Sequence, residues 1–267
     1  MGATVTLSGI VQEFPGKAGR RLALDGVDLA LAPGELVCVV GPSGCGKSTL
    51  LDLVAGHTRP ARGDVRVDGR PVEGPGPERV MVFQEHALFP WLSVADNVGF
   101  GLKNAGVPRS ERESTVARWL AKVGLTDAAG LHPHQLSGGM RQRAALARAF
   151  AMRPEVLLMD EPFSALDAPS RDRLHVELQE LWRETGTTLL FVTHNVREAV
   201  ALGDRVVVLS SGPGHVIGEV TVPLARPRVV ESDRVVALAQ DVRRLLDAAD
   251  QLGIAAPRVA EDDHVII

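Results

Sequence analysis

The sequence contains little cysteine and no long apolar run, and both absences exclude whole classes of protein. Only two of its 267 residues are cysteine, and neither Cys38 nor Cys45 has the spacing of a disulfide framework or a metal site. A reducing, cytosolic compartment fits this composition best. The longest apolar runs, such as residues 36–40, span about five residues, whereas a membrane-spanning helix needs about 20. The first ten residues show no cationic stretch followed by an apolar one, so we expect neither a spanning helix nor a secretory signal.

Basic residues are too few for a general nucleic-acid binder. Lysine and arginine number 29 against 33 aspartate and glutamate, which leaves a formal net charge of −4, whereas nucleic-acid-binding proteins are usually strongly basic. Hydrophobic residues make up 45% of the chain, which is enough for a sizeable core. Single cores stop growing near about 250–300 residues. We therefore expect one domain with room for a smaller lobe, and no nucleic-acid partner.

Along the chain, segments whose apolar residues have the spacing of a β-strand alternate with segments whose apolar residues have the spacing of an α-helix. Alternation predicts strands over residues 3–11 and 22–31, and a continuous apolar run predicts a buried strand over 35–40. Strand-like and helix-like segments then alternate, at residues 156–159, 170–185, 188–192, 195–202, 205–209 and 215–222. This order predicts an α/β core with a mostly parallel sheet, to which the opening strands and the final hairpin add an antiparallel flank.

Two regions depart from this alternation. Residues from about 86 to 153 lack β-rich runs over much of their length and carry helical spacing, which predicts a helical subdomain inserted into a main domain of residues 3–222. Residues 223–267 predict a C-terminal extension with one amphipathic helix, whose apolar face carries Val235, Leu238, Val242, Leu245 and Leu246.

A glycine-rich loop lies between the buried strand and a helix. The segment Gly41–Ser48 reads GPSGCGKS and matches GxxxxGK[ST], in the strand–loop–helix context that phosphate binding requires. Its glycines let successive N–H groups point at phosphate oxygens, and the helix adds its positive N-terminal end. Lys47 would reach the β and γ phosphates, and the Ser48 hydroxyl would hold Mg²⁺. The candidate ATP-binding residues here are Gly41, Pro42, Ser43, Gly44, Cys45, Gly46, Lys47, Ser48 and Thr49.

Two carboxylates end the strand-like segment at residues 156–159. Asp160 and Glu161 would face the ligand crevice, because the carboxyl edge of a parallel sheet faces its ligand. Asp160 suits a Mg²⁺ ligand acting through water. Glu161 suits a general base, or a group that orients the attacking water. The alternative interpretation is an ordinary strand end followed by an acidic helix cap.

A third motif identifies a family. Leu136-Ser137-Gly138-Gly139, followed by Gln142, opens a predicted helix and resembles the signature sequence of ABC (ATP-binding cassette) ATPases. Gln84 after an apolar strand resembles the family's Q-loop, Ser164–Asp167 resembles the D-loop, and His194 resembles the switch histidine. The resemblance covers about residues 3–222. It implies a P-loop NTPase of RecA-like fold, with the antiparallel flank and helical subdomain described above.

The family resemblance implies a mechanism as well as a fold. ATP and Mg²⁺ would be bound in a head-to-tail homodimer, between the phosphate loop of one chain and the signature of the other. The residues acting in trans would be Leu136, Ser137, Gly138, Gly139 and Asp167, with Ser137 and Gly139 on the partner's γ-phosphate. Lys47, Glu161 and His194 would be catalytic, and Gln84 would join Ser48 and Asp160 at the metal and also contact ATP.

The chain departs from the family at the adenine. Family members usually stack the base on a tyrosine of the first loop, but this sequence contains no tyrosine. Phe14 is the aromatic residue near the right place, and a phenyl face can still stack on a base. The alternative is that Phe14 packs in the core. Cys45 is most simply a loop residue, although its place at a helix N-terminus allows a lowered thiol pKa.

A narrower resemblance points to a transport system. The segments 73–79, 83–98, 181–186, 209–214 and 226–228 are similar to the nitrate/sulfonate/taurine importer ATPases. This implies the ATPase subunit of a bacterial importer for a small oxyanion, on the cytoplasmic face of the membrane. Its partners would be permease subunits and, indirectly, a solute-binding protein. A non-transport ABC ATPase is the alternative function.

The segment after Gln84 is the candidate permease contact. Leu88, Phe89, Pro90 and Trp91 follow it directly, and the resemblance implies that a short permease helix enters the cleft beside this segment. An apolar anchor in a groove commonly supplies much of the affinity of an interface. The alternative is that Trp91 is buried within the helical subdomain.

Overall fold

The computed structural model describes residues 2–16, 19–84 and 87–251 and confirms an α/β fold with two sheets. The strands are β1 (Val5–Gly16), β2 (Gly19–Leu31), β3 (Leu36–Val40), β4 (Arg62–Val67), β5 (Arg70–Pro71), β6 (Arg79–Val82), β7 (Val156–Asp160), β8 (Thr188–Thr193), β9 (Arg205–Leu209) and β10 (Val216–Thr221). The helices are α1 (Lys47–Ala55), α2 (Val94–Asn104), α3 (Arg109–Lys122), α4 (Gly138–Ala151), α5 (Ala168–Thr185), α6 (Val196–Leu202) and α7 (Asp233–Gln251), with short 3₁₀ turns at Thr126–Ala128 and Pro133–Gln135.

The central sheet has six strands in the order β10-β9-β3-β8-β7-β6, and all its neighbouring strands are parallel except β10 and β9. Both faces of this sheet are buried. Cys38 and Val40 of β3 belong to one apolar cluster, whereas Val37 and Val39 belong to the other. A strand covered on both faces reads as a continuous apolar run, which is why β3 shows no alternation in the sequence.

The second sheet is antiparallel, in the order β2-β1-β4-β5, and provides the flank expected from the opening strands. Its inward residues, including Val5, Leu7 and Ile10, share one core with Leu50 and Leu53 of α1. The phosphate loop and α1 are therefore held between two sheets. This arrangement brings the β1–β2 hairpin beside the loop.

Helices α2, α3 and α4 pack together in the region predicted to be a helical subdomain. Val98, Val116 and Leu120 are buried there, and the rings of Trp119 and Phe150 stack with centroids 5.8 Å apart. No described helix combines the length and hydropathy needed to span a bilayer.

The segment before α7 is tied to the main domain by two arginines. The Arg226 guanidinium lies 4.5 Å from the Trp182 ring centroid and pairs with Asp204 at 2.8 Å. Arg228 is buried and donates to the carbonyls of Leu224 at 2.9 Å and Val200 at 3.1 Å. Burial, together with the neighbouring Arg226, lowers the pKa of Arg228 to about 10. The described part of the extension is thus packed on the main domain, and residues 252–267 lie outside the described residues.

Candidate functional site

A cavity of about 450 Å³ opens where the phosphate loop meets the β1–β2 hairpin. This volume falls within the usual range of small-molecule sites. The cavity combines residues of the loop, of the hairpin and of the end of β7. It is lined by Phe14, Pro15, Arg21, Ala23, Ser43, Gly44, Gly46, Lys47, Ser48, Thr49 and Glu161.

The phosphate loop has the conformation that the glycine pattern predicts. Gly46, the residue before α1, has φ +96°, and a Cβ there would lie 2.5 Å from the Leu24 side chain. No side chain caps the N-terminus of α1, and its first turn carries no acidic residue. Its N–H groups and its positive end are thus directed to an anion rather than to a neighbouring carboxylate.

Lys47 is buried and held within the loop. Its Nζ donates to the carbonyl oxygens of Gly41 at 2.9 Å and Pro42 at 3.0 Å. These contacts keep the ammonium group at the bottom of the cavity, beside the helix N-terminus. A bound anion there would meet a fixed positive charge, which costs less ordering entropy than a free side chain.

Cys45 is fully buried beneath the loop, and burial raises the pKa of its thiol, although the nearby Lys47 opposes this shift. The expectation of a lowered pKa is therefore wrong. The helix N-terminus would favour a thiolate, but removal of the sulfur from water disfavours the charged form more strongly. Cys38 is likewise fully buried, and burial raises its pKa well above the ordinary value.

Ser48 and Asp160 lie together at the edge of the cavity. Burial raises the pKa of the Asp160 carboxyl, and a hydrogen bond with Ser48 and the charge of Lys47 oppose this shift. A hydroxyl and a carboxylate are oxygen donors that suit Mg²⁺, which keeps several ligands for water and phosphate. In the described part of the chain no group of three or more His, Cys, Asp or Glu could hold a metal. The oxygen donors of Ser48 and Asp160 fit a Mg²⁺ ion that takes its remaining ligands from outside the protein.

Glu161 and His194 form a pair at the carboxyl edge of the central sheet. Glu161 Oε2 lies 2.8 Å from His194 Nδ1. The Glu161 backbone adopts a left-handed conformation with φ +42°, which is unusual for a residue other than glycine. Its N–H donates to the Val192 carbonyl at 3.0 Å, and its carbonyl accepts from the Ser164 hydroxyl at 2.9 Å. These bonds hold the turn in which the Glu161 carboxylate lines the cavity. The carboxylate therefore does not act as the ordinary helix cap of the alternative interpretation.

Three residues that the sequence did not indicate, Thr193, Glu198 and His175, form a hydrogen-bonded chain beside the His194 turn. The Thr193 hydroxyl accepts from the Asn195 N–H at 3.0 Å and bonds to the buried carboxylate of Glu198. Glu198 in turn lies 2.7 Å from Nε2 of the buried His175 on α5. Glu198 lies in the first turn of α6, just after the His194 turn, and this closeness in sequence was the signal available. The position of His175 depends on the tertiary fold.

The signature residues do not line this cavity. Ser137 caps α4 by accepting from the Met140 N–H at 3.2 Å, and Asp167 caps α5 by accepting from the Ser170 N–H at 3.0 Å. The Ser170 hydrogen bond lowers the pKa of Asp167. A Cβ on Gly139 would lie 3.7 Å from the Ser170 hydroxyl, so the two helix N-termini are neighbours. Their predicted action on a partner's nucleotide stays a prediction, as does that of Leu136 and Gly138.

Gln84 also lies away from the cavity lining. It is exposed and follows the end of β6 by two residues. Its predicted contacts with ATP and the metal stay predictions.

Phe14 and Trp91 are both exposed, which makes the burial alternative wrong for each. Phe14 is 40% exposed and lines the nucleotide-sized cavity. Trp91 is 71% exposed and packs its ring 5.6 Å from that of Phe89. Trp91 borders a second cavity of about 650 Å³ between α2 and α3.

Comparison with known proteins agrees with this geometry. A sequence profile described as "ABC transporter" matches residues 24–164. A nitrate import ATP-binding protein of Synechococcus elongatus is 45% identical, over 94% of this chain and 90% of that protein. A taurine import ATP-binding protein of Chromobacterium violaceum is 49% identical, over 84% of this chain and 85% of that one. A solved dimeric ATP-binding cassette, in a post-hydrolysis state with ADP and Pi, superposes with a TM-score of 0.72 at 30% identity, covering 83% of this chain and all of that one.

Proposed function

The chain belongs to the ABC transporter family, and we propose that it is the ATP-hydrolysing subunit of a bacterial importer for a small oxyanion. The observation that carries this proposal is one cavity lined by the Lys47 loop, Ser48 and Glu161, with Asp160 hydrogen-bonded to Ser48 and His194 to Glu161. These are the groups needed to hold a polyphosphate and to direct water at its end. The main domain would comprise residues 3–222, with a helical subdomain at about 86–153 and an extension at 223–267.

The proposed chemistry divides among the residues of the cavity. Lys47, Ser43 and the loop N–H groups hold the β and γ phosphates, and Phe14 stacks on the adenine. Ser48, Asp160 and Gln84 would hold Mg²⁺, which supplies positive charge for the phosphate oxygens. The Glu161 carboxylate accepts a hydrogen bond from the attacking water and polarises it.

His194 orients the Glu161 carboxylate through the contact between its Nδ1 and Glu161 Oε2. The Thr193–Glu198–His175 chain keeps the histidine turn in place. Because Glu161 is held by its backbone and by His194, it enters the reaction with little reorganisation.

The proposed working state is a head-to-tail homodimer. The exposed N-terminus of α4, which Ser137 caps, has no acidic residue in its first turn and would bind the γ-phosphate held by a second chain. A two-fold interface of this kind builds two equal sites. Hydrolysis removes the phosphate that bridges the chains, so the dimer opens. The dimeric state of the solved relative supports this arrangement.

The substrate class is inferred from kinship. Nitrate and taurine, named for two relatives, both carry a compact anionic group of oxygens. The transported solute would bind to a separate solute-binding protein and a permease, so no residue of this chain identifies it.

The proposed membrane contact is the groove beside Trp91. Phe89, Trp91 and Phe100 form an aromatic cluster with centroid distances of 5.6 and 4.4 Å, and the groove continues between α2 and α3. A short permease helix lying on this cluster would hold the chain at the cytoplasmic face of the membrane. Trp91 would be the apolar anchor of that interface.

The mechanism is tested by comparing Glu161→Gln with Lys47→Ala. Glutamine keeps the shape of the side chain but cannot act as a base, so hydrolysis should fall by about 10²–10⁴. Glu161→Gln should still bind MgATP and accumulate as a closed dimer in size-exclusion chromatography. Lys47→Ala should lose ATP binding and remain monomeric. Wild-type turnover by Glu161→Gln would contradict its role, and a monomeric, ATP-loaded Glu161→Gln would contradict the dimer.

The transport role is tested with Trp91→Ala. Because Trp91 is largely exposed, its removal should leave the folding and basal ATPase activity of the free subunit unchanged. Association with the permease, measured by co-purification from detergent-solubilised membranes, should fall. Normal association would contradict the docking role, and a subunit that hydrolyses ATP but copurifies with no membrane protein would favour a non-transport ABC ATPase.

A further inference from the structure

Arg21 is a cationic side chain that lines the nucleotide cavity without belonging to any of its recognised motifs. It lies on β2 directly opposite Phe14 of β1 in the antiparallel register. Directly paired residues of an antiparallel ladder project from the same face, and both side chains line the cavity. The hairpin therefore carries an aromatic ring and a guanidinium group side by side.

The guanidinium group reaches the phosphate loop. Its Nη2 lies 3.6 Å from the position that a Cβ on Gly44 would occupy. Gly44 belongs to the part of the loop whose backbone would meet phosphate oxygens. Arg21 thus approaches the phosphate loop from the β1–β2 hairpin.

The charge of Arg21 is not neutralised by a neighbour. Among the residues that the structure describes, it forms no ion pair, whereas the adjacent Arg20 pairs with Glu13 at 3.2 Å. The carboxylate that lines the same cavity, Glu161, is bonded to His194. A cation held at a binding cavity without a protein counter-ion is available to an anionic ligand.

We propose that Arg21 binds the polyphosphate chain of the nucleotide beside Gly44. The proposal rests on the ATP site proposed above and adds a phosphate-binding residue to it. Arginine suits this role because its planar fork of N–H donors matches two phosphate oxygens at once. Phe14 on the same hairpin would contact the base, so one β-hairpin would grip both ends of the nucleotide.

The test compares Arg21→Ala with Arg20→Ala in the full-length protein. Both residues are exposed on the same strand, so neither substitution removes core packing, and thermal unfolding of each variant checks the fold. A fluorescent ATP analogue is displaced by ATP, inorganic tripolyphosphate or adenosine. Arg21→Ala should weaken ATP and tripolyphosphate about tenfold, the usual effect of losing a hydrogen bond to a charged group, and leave adenosine unchanged. Arg20→Ala should bind all three like the wild type.

Two further comparisons sharpen the result. Arg21→Lys keeps the charge but loses the fork, so its loss should be smaller than that of Arg21→Ala. The difference between Arg21→Ala and the wild type should shrink as salt is raised, because the site is open to solvent.

Three results would overturn the proposal. The first is a wild-type affinity for tripolyphosphate in Arg21→Ala. The second is a loss of affinity for adenosine alone, which would place Arg21 on the base. The third is an equal loss of affinity in Arg20→Ala, which would indicate a general effect of positive charge near the cavity. Lys47→Ala separates this proposal from the ATP site itself. If Lys47→Ala abolishes binding while Arg21→Ala does not weaken it, Arg21 has no role but the site stands. If the wild type binds no nucleotide, both proposals fail.

Discussion

Asn97 supports the loop that carries Trp91, and its replacement should loosen that loop. The Asn97 side chain is fully buried at the first turns of α2. Its Oδ1 accepts from the Phe89 N–H at 2.8 Å, and its Nδ2 donates to the carbonyls of Phe89 and Leu92, each at 3.1 Å. One amide group therefore satisfies three backbone groups of the segment that presents the aromatic cluster.

The size of the effect follows from these contacts. A typical intramolecular hydrogen bond contributes about 1 kcal/mol net, so Asn97→Ala should cost about 3 kcal/mol. Alanine is the better helix former by up to about 0.7 kcal/mol, which leaves about 2–3 kcal/mol. For a chain of this length each 1 kcal/mol lowers Tm by about 2–4 °C. The expected fall in Tm is about 5–10 °C.

The assay combines thermal unfolding of the free subunit with permease association. Asn104→Ala is the matched control for stability, because Asn104 ends the same helix and is exposed; it should leave Tm unchanged. Asn97→Ala should lower Tm and weaken permease association, because Trp91 is no longer held in place. Trp91→Ala should weaken association without lowering Tm. An Asn97→Ala variant with wild-type Tm would refute the hydrogen-bond reasoning, and one with lowered Tm but wild-type association would refute the link to docking.

Three other perturbations test the phosphate loop and its neighbours. Asp160→Asn should raise the Tm of the nucleotide-free protein near pH 7, because the raised pKa of Asp160 means that its half-buried carboxylate destabilises the fold above that pKa. This gain in Tm should disappear as the pH falls through the pKa. Gly46→Ala should reduce ATP affinity at least about tenfold, measured by displacement of a fluorescent analogue, because the new Cβ would lie 2.5 Å from Leu24 and φ is +96°. Gly44→Ala should lose less ATP affinity, because its φ is +78° but the nearest atom to its Cβ would be 3.6 Å away. Cys45 should react with thiol reagents more slowly in the folded protein than in the unfolded chain at pH 7, because burial raises its pKa. Equal labelling rates in the folded and the urea-unfolded protein would contradict this.

The sequence alone determined the local elements whose signals are short-range. The order of strands and helices, the phosphate loop at Gly41–Ser48 and the α/β class follow from periodicity and glycine placement within a few residues. Loop and helix conformation there depend on the backbone preferences of each residue type and on side chains a few residues away, and both can be read from the sequence. The α4 cap at Ser137 is of the same kind, because a cap is made within one helical turn.

Contacts between distant segments needed the tertiary structure. The sequence left Phe14 and Trp91 open between exposure and burial, because an isolated aromatic residue carries no local signal of whether it faces the core or solvent. It also allowed a lowered pKa for Cys45, since the helix N-terminus is visible in the sequence but the burial that raises the pKa is not.

Three further features depended on chain segments far apart in the sequence. Arg21 reaches Gly44 only because the antiparallel sheet places the β1–β2 hairpin over the phosphate loop. His175 and Glu198 meet only because α5 and α6 pack on the same face of the central sheet. The sequence therefore determined which groups can do chemistry. Packing of elements from distant parts of the chain decided their charge state, their exposure and their partners, because these depend on which atoms replace water around each side chain.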